Sequence, residues 1–142
     1  YKLRDRQLTK KRIRIMAEKQ KFHIEYLLKA SPEMLYQYVS TPSGLAEWFA
    51  DSVQSKGNLF TFTWAGSEEK ATLIARRRDS LVRFRWEADE NDKYFFEIKV
   101  EQDELTGDVS LVVTDFAYPE ETSDARQLWD NSVTNLRKVI GA

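Results

Sequence analysis

Four runs between residues 58 and 117 carry large apolar side chains at every second position. A fifth run of the same kind lies at residues 21–29. In "NLFTFTWA" (58–65) Phe60, Phe62 and Trp64 share one side, and Leu59, Thr61 and Thr63 the other. "LVRFRWEA" (81–88) sets Val82, Phe84 and Trp86 against Arg83, Arg85 and Glu87. "YFFEIKVEQ" (94–102) aligns Tyr94, Phe96, Ile98 and Val100, and "VSLVVTDFA" (109–117) aligns Val109, Leu111, Val113 and Asp115. "KFHIEYLLK" does the same with Phe22, Ile24, Tyr26 and Leu28. Side chains on a strand alternate between its two faces, so a period of two marks strands buried on one side only. Antiparallel sheets suit that pattern, because one face can meet solvent while the other meets a core. Such a chain must find something else to cover its apolar face.

The C-terminal stretch supplies the cover. In residues 121–141 the period changes: Trp129, Val133, Leu136 and Ile140 recur at helical spacing, which predicts a long amphipathic helix. Ser123 or Asp124 is the expected N-cap, and Gly141 ends the helix. Two short helices are predicted earlier. One opens with Ser31 and Pro32, the other with Thr41 and Pro42, each a cap residue followed by proline at the first helical position. "KATLIARRRD" (70–79) reads as a further strand ending in a charged turn, and "DENDK" (89–93) as a hairpin loop. The pairs Glu68/Glu69 and Glu120/Glu121 read as solvated turns or loop ends. The order is strand, two short helices, about six strands and one long helix. The predicted class is α+β: a helix-grip fold, a curved antiparallel sheet of about seven strands wrapped on a long C-terminal helix.

At 142 residues the chain fits one domain. Residues 1–21 carry nine Lys or Arg against two acidic residues, and the remainder 13 basic against 21 acidic. Met16 with the following "AEKQKF" reads as a natural start. Residues 1–20 then form a basic N-terminal extension, flexible or not native, ahead of a domain at 21–142. The absence of cysteine excludes disulfides, thiolate nucleophiles and Cys-based metal sites. No apolar run approaches the roughly 20 residues that span a bilayer. The expected location is the cytoplasm.

Little in the sequence supports catalysis. His23 is the single histidine and takes the polar side of its strand, so neither a multi-His metal site nor a Ser-His-Asp triad is available. There is no Gly-rich phosphate loop, and no cofactor is expected. "ARRRD" (75–79) is basic but stands in an acidic body, so no nucleic acid is expected as a partner. Inward polar candidates are Asp115, Tyr26, Tyr38, Tyr94 and Ser132. Asp115 has two readings, a general acid or base of raised pKa, or a strand-end acid that hydrogen-bonds neighbouring backbone or pairs with an Arg. Arg83 and Arg85 are placed to pair across strands with Glu97.

The segment "ASPEMLYQYVSTPSGLAEWFAD" (30–51), with its Pro-x-x-Leu-x-x-Trp-Phe pattern, and "LWDNSVTNLRKVIGA" (128–142) carry a resemblance. The chain resembles the START-like, Bet v 1-like superfamily. Within it, the chain is similar to the domain found in the C-terminal part of the Hsp90 ATPase activator. The resemblance implies a cavity between sheet and long helix, with Trp48 and Phe49 near its mouth. It implies no single activity, since members bind lipids, catalyse or assist chaperones. Two readings follow. In one, an apolar small molecule or lipid-like ligand meets Trp48, Phe49, Phe62, Trp64, Phe84, Trp86, Phe96, Leu111, Trp129 and Val133. In the other, the same rings plug the core and the outer surface binds a protein partner.

Overall fold

The computed structural model describes residues 18–89 and 93–141. The basic segment up to residue 17 and most of the 89–93 loop lie outside them. Strand β1 (Gln20–Leu28) is followed by helices α1 (Pro32–Ser40) and α2 (Pro42–Leu45). Strands β2 (Ser52–Lys56), β3 (Leu59–Trp64), β4 (Ser67–Arg77), β5 (Leu81–Trp86), β6 (Phe96–Gln102) and β7 (Val109–Ala117) then meander into one sheet. Helix α3 (Thr122–Ile140) closes the chain. The sheet order is β1-β7-β6-β5-β4-β3-β2, antiparallel throughout and unclosed, with β1 and β2 as its edges. This is the helix-grip arrangement expected from the two periodicities.

Local chemistry explains the helix starts. Ser31 Oγ accepts the Met34 amide at 3.1 Å, and Thr41 Oγ1 accepts the Gly44 amide at 3.0 Å, each satisfying an N–H that the first helical turn leaves unpaired. Helix α3 starts differently from expectation. Its N-cap is Glu121, not Ser123 or Asp124, because a 3₁₀ turn at Pro119–Glu121 winds directly into the helix. Glu121 is buried there rather than solvated. Gly141 ends the helix at φ 74°, the left-handed conformation that glycine adopts without steric cost.

Two other local expectations need correction. Glu68 and Glu69 lie in β4, opposite Thr63 and Phe62, not in a turn. The β3–β4 turn is only Ala65–Gly66, both at positive φ, the geometry that matches the twist of a two-residue hairpin. Asp51 Oδ2 holds it by accepting the Ala65 amide at 2.7 Å. Tyr94 precedes β6 instead of facing inward, and its ring packs on Phe116 at 5.3 Å on the outer side. Without ladder pairing, alternation does not carry back that far. Strand β2 carries no apolar alternation, being an edge strand of exposed polar residues with Val53 half-buried.

Of the predicted cross-strand pairs, Arg83 does bind Glu97, at 2.8 Å in register. Arg85 instead donates to the Tyr94 carbonyl.

Candidate functional site

Inward positions of β3, β5 and β6, with β4 between the first two, bring the rings together. Phe62 and Trp64 of β3, Phe84 and Trp86 of β5, and Phe96 of β6 line the concave face. Phe49, on the segment after α2, descends into them. Its ring centre lies 5.3 Å from Phe62, 5.5 Å from Trp64, 5.6 Å from Phe96 and 5.5 Å from Trp129 of α3. Trp48 meets Phe49 edge-on at 5.6 Å. Such ring pairs add about 0.5–1.5 kcal/mol each beyond the area they bury. Leu111 of β7 and Val133 of α3 complete the same cluster, both fully buried. All ten residues singled out from the sequence therefore share one interior.

The indole N–H groups of Trp48, Trp64 and Trp129 are engaged with the protein. Trp48 Nε1 donates to the Tyr38 carbonyl at 2.9 Å, and Trp64 Nε1 to the Phe49 carbonyl at 2.8 Å. These two bonds tie the 46–50 segment to α1 on one side and β3 on the other. Asp115 accepts from Trp129 Nε1 at 2.9 Å and from the Phe116 amide at 2.7 Å, so it acts as an acceptor joining β7 to α3. His23 lies on the outer face, its Nδ1 3.0 Å from Thr114 Oγ1.

Tyr26 donates to Asp130 Oδ1 at 2.6 Å, clasping α3 to β1. Burial raises the Tyr26 pKa well above the ordinary tyrosine value, and the bond and charge of Asp130 raise it further against Arg137 and Arg126. The neutral phenol is thus favoured in the folded state. Its contribution is full below the ordinary tyrosine pKa and is lost as pH rises above it. Tyr26→Phe removes the bond and is expected to cost about 1 kcal/mol, since Asp130 itself is solvated. Urea denaturation at neutral pH measures this, and an unchanged midpoint would show that the clasp contributes nothing.

Between the 46–51 segment, the end of β3 and helix α3 lies a recess of about 460 Å³. Its apolar wall is Trp48, Phe49, Trp64 and Leu128. Its polar wall is Glu47 and Asp51 on one side, and Asn131, Ser132 and Asn135 of α3 on the other. Three of the ten predicted residues meet here, while Phe62, Phe84, Trp86, Phe96, Leu111, Trp129 and Val133 stay behind them in the core. Leu128, Asn131 and Asn135 were not singled out from the sequence. Their positions, three to four residues apart with Ser132 among them, mark one helical face beside the Trp129–Leu136 stripe.

Elsewhere, a shallow hollow of about 620 Å³ lies along Ser67–Lys70 and Trp86–Ala88, and one of about 440 Å³ at the β6–β7 turn is lined by Glu25, Glu101, Asp103 and Asp108. On the outer face Phe95 and Phe116 pack at 5.1 Å, with Arg83 4.2 Å above the Phe95 ring. Among the described residues no group of three His, Cys, Asp or Glu side chains is placed to hold a metal ion, and no helix is long and apolar enough to cross a membrane.

A curved sheet gripping a long helix, with a recess where the helix leaves the aromatic core, defines an α+β helix-grip domain. The sequence matches the START-like superfamily domain over residues 16–142, and the chain belongs to that superfamily. The solution NMR structure of a Bacteroides fragilis protein is 42% identical, with TM-score 0.63 over 87% of this chain and 92% of that one. The Aha1 dimer of Colwellia psychrerythraea is 17% identical, with TM-score 0.64 over 84% and 92%. A Bacillus thuringiensis crystal structure is 12% identical, with TM-score 0.71 over 87% and 100%. The likeness to these last two is one of fold. No curated protein matches the sequence.

Proposed function

We propose that this domain is a binding module for an apolar small molecule or lipid-like ligand, working in the cytoplasm. The observation that carries the reading is the recess at the end of the aromatic core. Its volume of about 460 Å³ falls in the range of small-molecule sites. Trp48, Phe49, Trp64 and Leu128 form its apolar side. START-like domains commonly bind hydrophobic ligands, which agrees with this wall.

Phe49 stands between the recess and the deeper rings. A ligand longer than the recess reaches Phe62, Phe84, Trp86, Phe96, Leu111, Trp129 and Val133 by turning that ring aside. No catalytic residue and no cofactor is assigned.

The test is mass spectrometry of the protein purified from the cytosol of its own cells, under native and then denaturing conditions. A mass excess that disappears on denaturation is expected, and its value names the ligand class. A clean apo mass, with no change in tryptophan fluorescence on titration with apolar probes, would overturn the reading. Weight would then pass to a protein-docking role for the outer face, where Phe95 and Phe116 stand among Lys21 and Arg83.

A further inference from the structure

The polar side of the recess has one sign of charge. Glu47 and Asp51 line it, and no Lys, Arg or His does. Glu47 is exposed and forms no ion pair with any described residue, while Asp51 is held through Oδ2 by the Ala65 amide. A second observation comes from the opposite wall. Ser132 is 5% exposed, lines the recess, and its hydroxyl makes no hydrogen bond to the described residues. Thr134, two residues along the same helix, instead bonds back to the Asp130 carbonyl at 2.8 Å. A nearly buried hydroxyl facing a recess is suited to hydrogen-bond whatever enters it.

From this geometry we propose that the recess selects its ligand by head group. It takes a single-chain amphiphile with an ammonium head and rejects one with a carboxylate. The inference rests on the ligand-binding reading above and adds the chemistry of the ligand's polar end. The tail lies on Trp48, Phe49 and Leu128, and the ammonium sits between Glu47 and Ser132. An ammonium gains Coulomb attraction from Glu47 and Asp51 and is also drawn to the faces of neighbouring tryptophans. A carboxylate meets two like charges and no compensating cation. A neutral alcohol keeps the Ser132 hydrogen bond and gains nothing from the carboxylates.

Three probes of equal tail length separate these contributions: dodecylamine, dodecanol and dodecanoate, each below its micellar concentration or solubility limit at neutral pH. Binding to the full chain is followed by tryptophan fluorescence. The expected order of affinity is amine, alcohol, carboxylate, with the amine about tenfold or more tighter than the carboxylate at low salt and less so at high salt. Glu47→Gln is expected to narrow that gap several-fold while leaving dodecanol unchanged. Ser132→Ala is expected to weaken both amine and alcohol. Glu104→Gln, on the distant β6–β7 turn, is expected to leave the order intact, which separates a local effect from the acidity of the whole domain. Equal affinity for all three probes, tighter binding of dodecanoate, or an unchanged gap in Glu47→Gln would overturn head-group selection while leaving the ligand-binding reading standing. Failure of all three probes to bind would overturn both.

Discussion

Replacing Trp129 by alanine is expected to cost the domain about 4 kcal/mol, the usual loss when a large buried ring is deleted. The indole is fully buried and touches Phe49 at 5.5 Å and Phe96 at 5.9 Å. Helix α3 reaches the aromatic interior through this side chain, so its loss leaves a cavity bounded by rings that cannot all close in. It also removes the donor that Trp129 Nε1 gives to Asp115 at 2.9 Å, inside a region with little water to replace it. A domain of this size is stable by about 5–15 kcal/mol, so the variant is expected to be partly unfolded in mild urea. Trp129→Phe separates the two effects. It keeps most of the ring and loses the indole N–H, with an expected cost of about 2 kcal/mol. Urea titration followed by circular dichroism reads both variants. A cost below about 1 kcal/mol for the alanine variant would show that the interior collapses around the gap and that the contact is not a keystone.

Gly44→Ala is the second large effect. Gly44 is buried at the junction of α1 and α2, and its need is for space rather than for an unusual backbone angle. A methyl group there would meet the Gln37 carbonyl oxygen, with Tyr38 Cα at 2.7 Å and Thr41 Oγ1 at 2.8 Å. Two of the three obstacles are backbone, so neither can swing away. The third is the oxygen that caps α2 by accepting the Gly44 amide. The two helices must separate, at an expected cost of about 3 kcal/mol, the upper part of the range for overpacked sites. The displacement would pass to the 46–51 segment, which holds Trp48 against Tyr38 and Phe49 against the core rings. Loss of stability is therefore expected together with loss of the near-ultraviolet dichroism of the buried tryptophans and of probe binding in the recess. A variant that loses stability but keeps both signals would place the strain in the helices alone.

The main architecture was legible because it rests on local periodicity. A period of two through Phe60–Trp64, Val82–Trp86 and Val109–Val113 permits one buried face whatever the partner, and the stripe Trp129–Val133–Leu136 permits one buried side of a helix. The Ser31–Pro32 and Thr41–Pro42 starts were legible for the same reason, since a cap acts within one turn. Strand β2 carries no sequence signal of its own. An edge strand is held by backbone bonds to one neighbour and needs no apolar alternation; Ser52–Lys56 has Val53 as its one apolar side chain. Residues 66–69 fall between the predicted runs at 58–65 and 70–79, because Glu68 and Glu69 carry no apolar pattern. Their place in β4 is decided by pairing with Thr63 and Phe62.

The candidate site divides along the same line. Residue types and spacing determined that the rings of Phe62, Trp64, Phe84, Trp86, Phe96 and Trp129 share an interior, because each faces the buried side of its own element. That Trp48, Phe49 and Trp64 should stand with Asn131, Ser132 and Asn135 around one recess was decided only by the tertiary structure. Between 67 residues (Trp64 to Asn131) and 87 residues (Trp48 to Asn135) of chain separate the two walls. Propensity and periodicity act over one or two turns and say nothing about which end of a helix meets which loop. That meeting is set by the close approach allowed at Gly44, by the bonds from Trp48 and Trp64 to neighbouring carbonyls, and by the packing of Trp129 against Phe49.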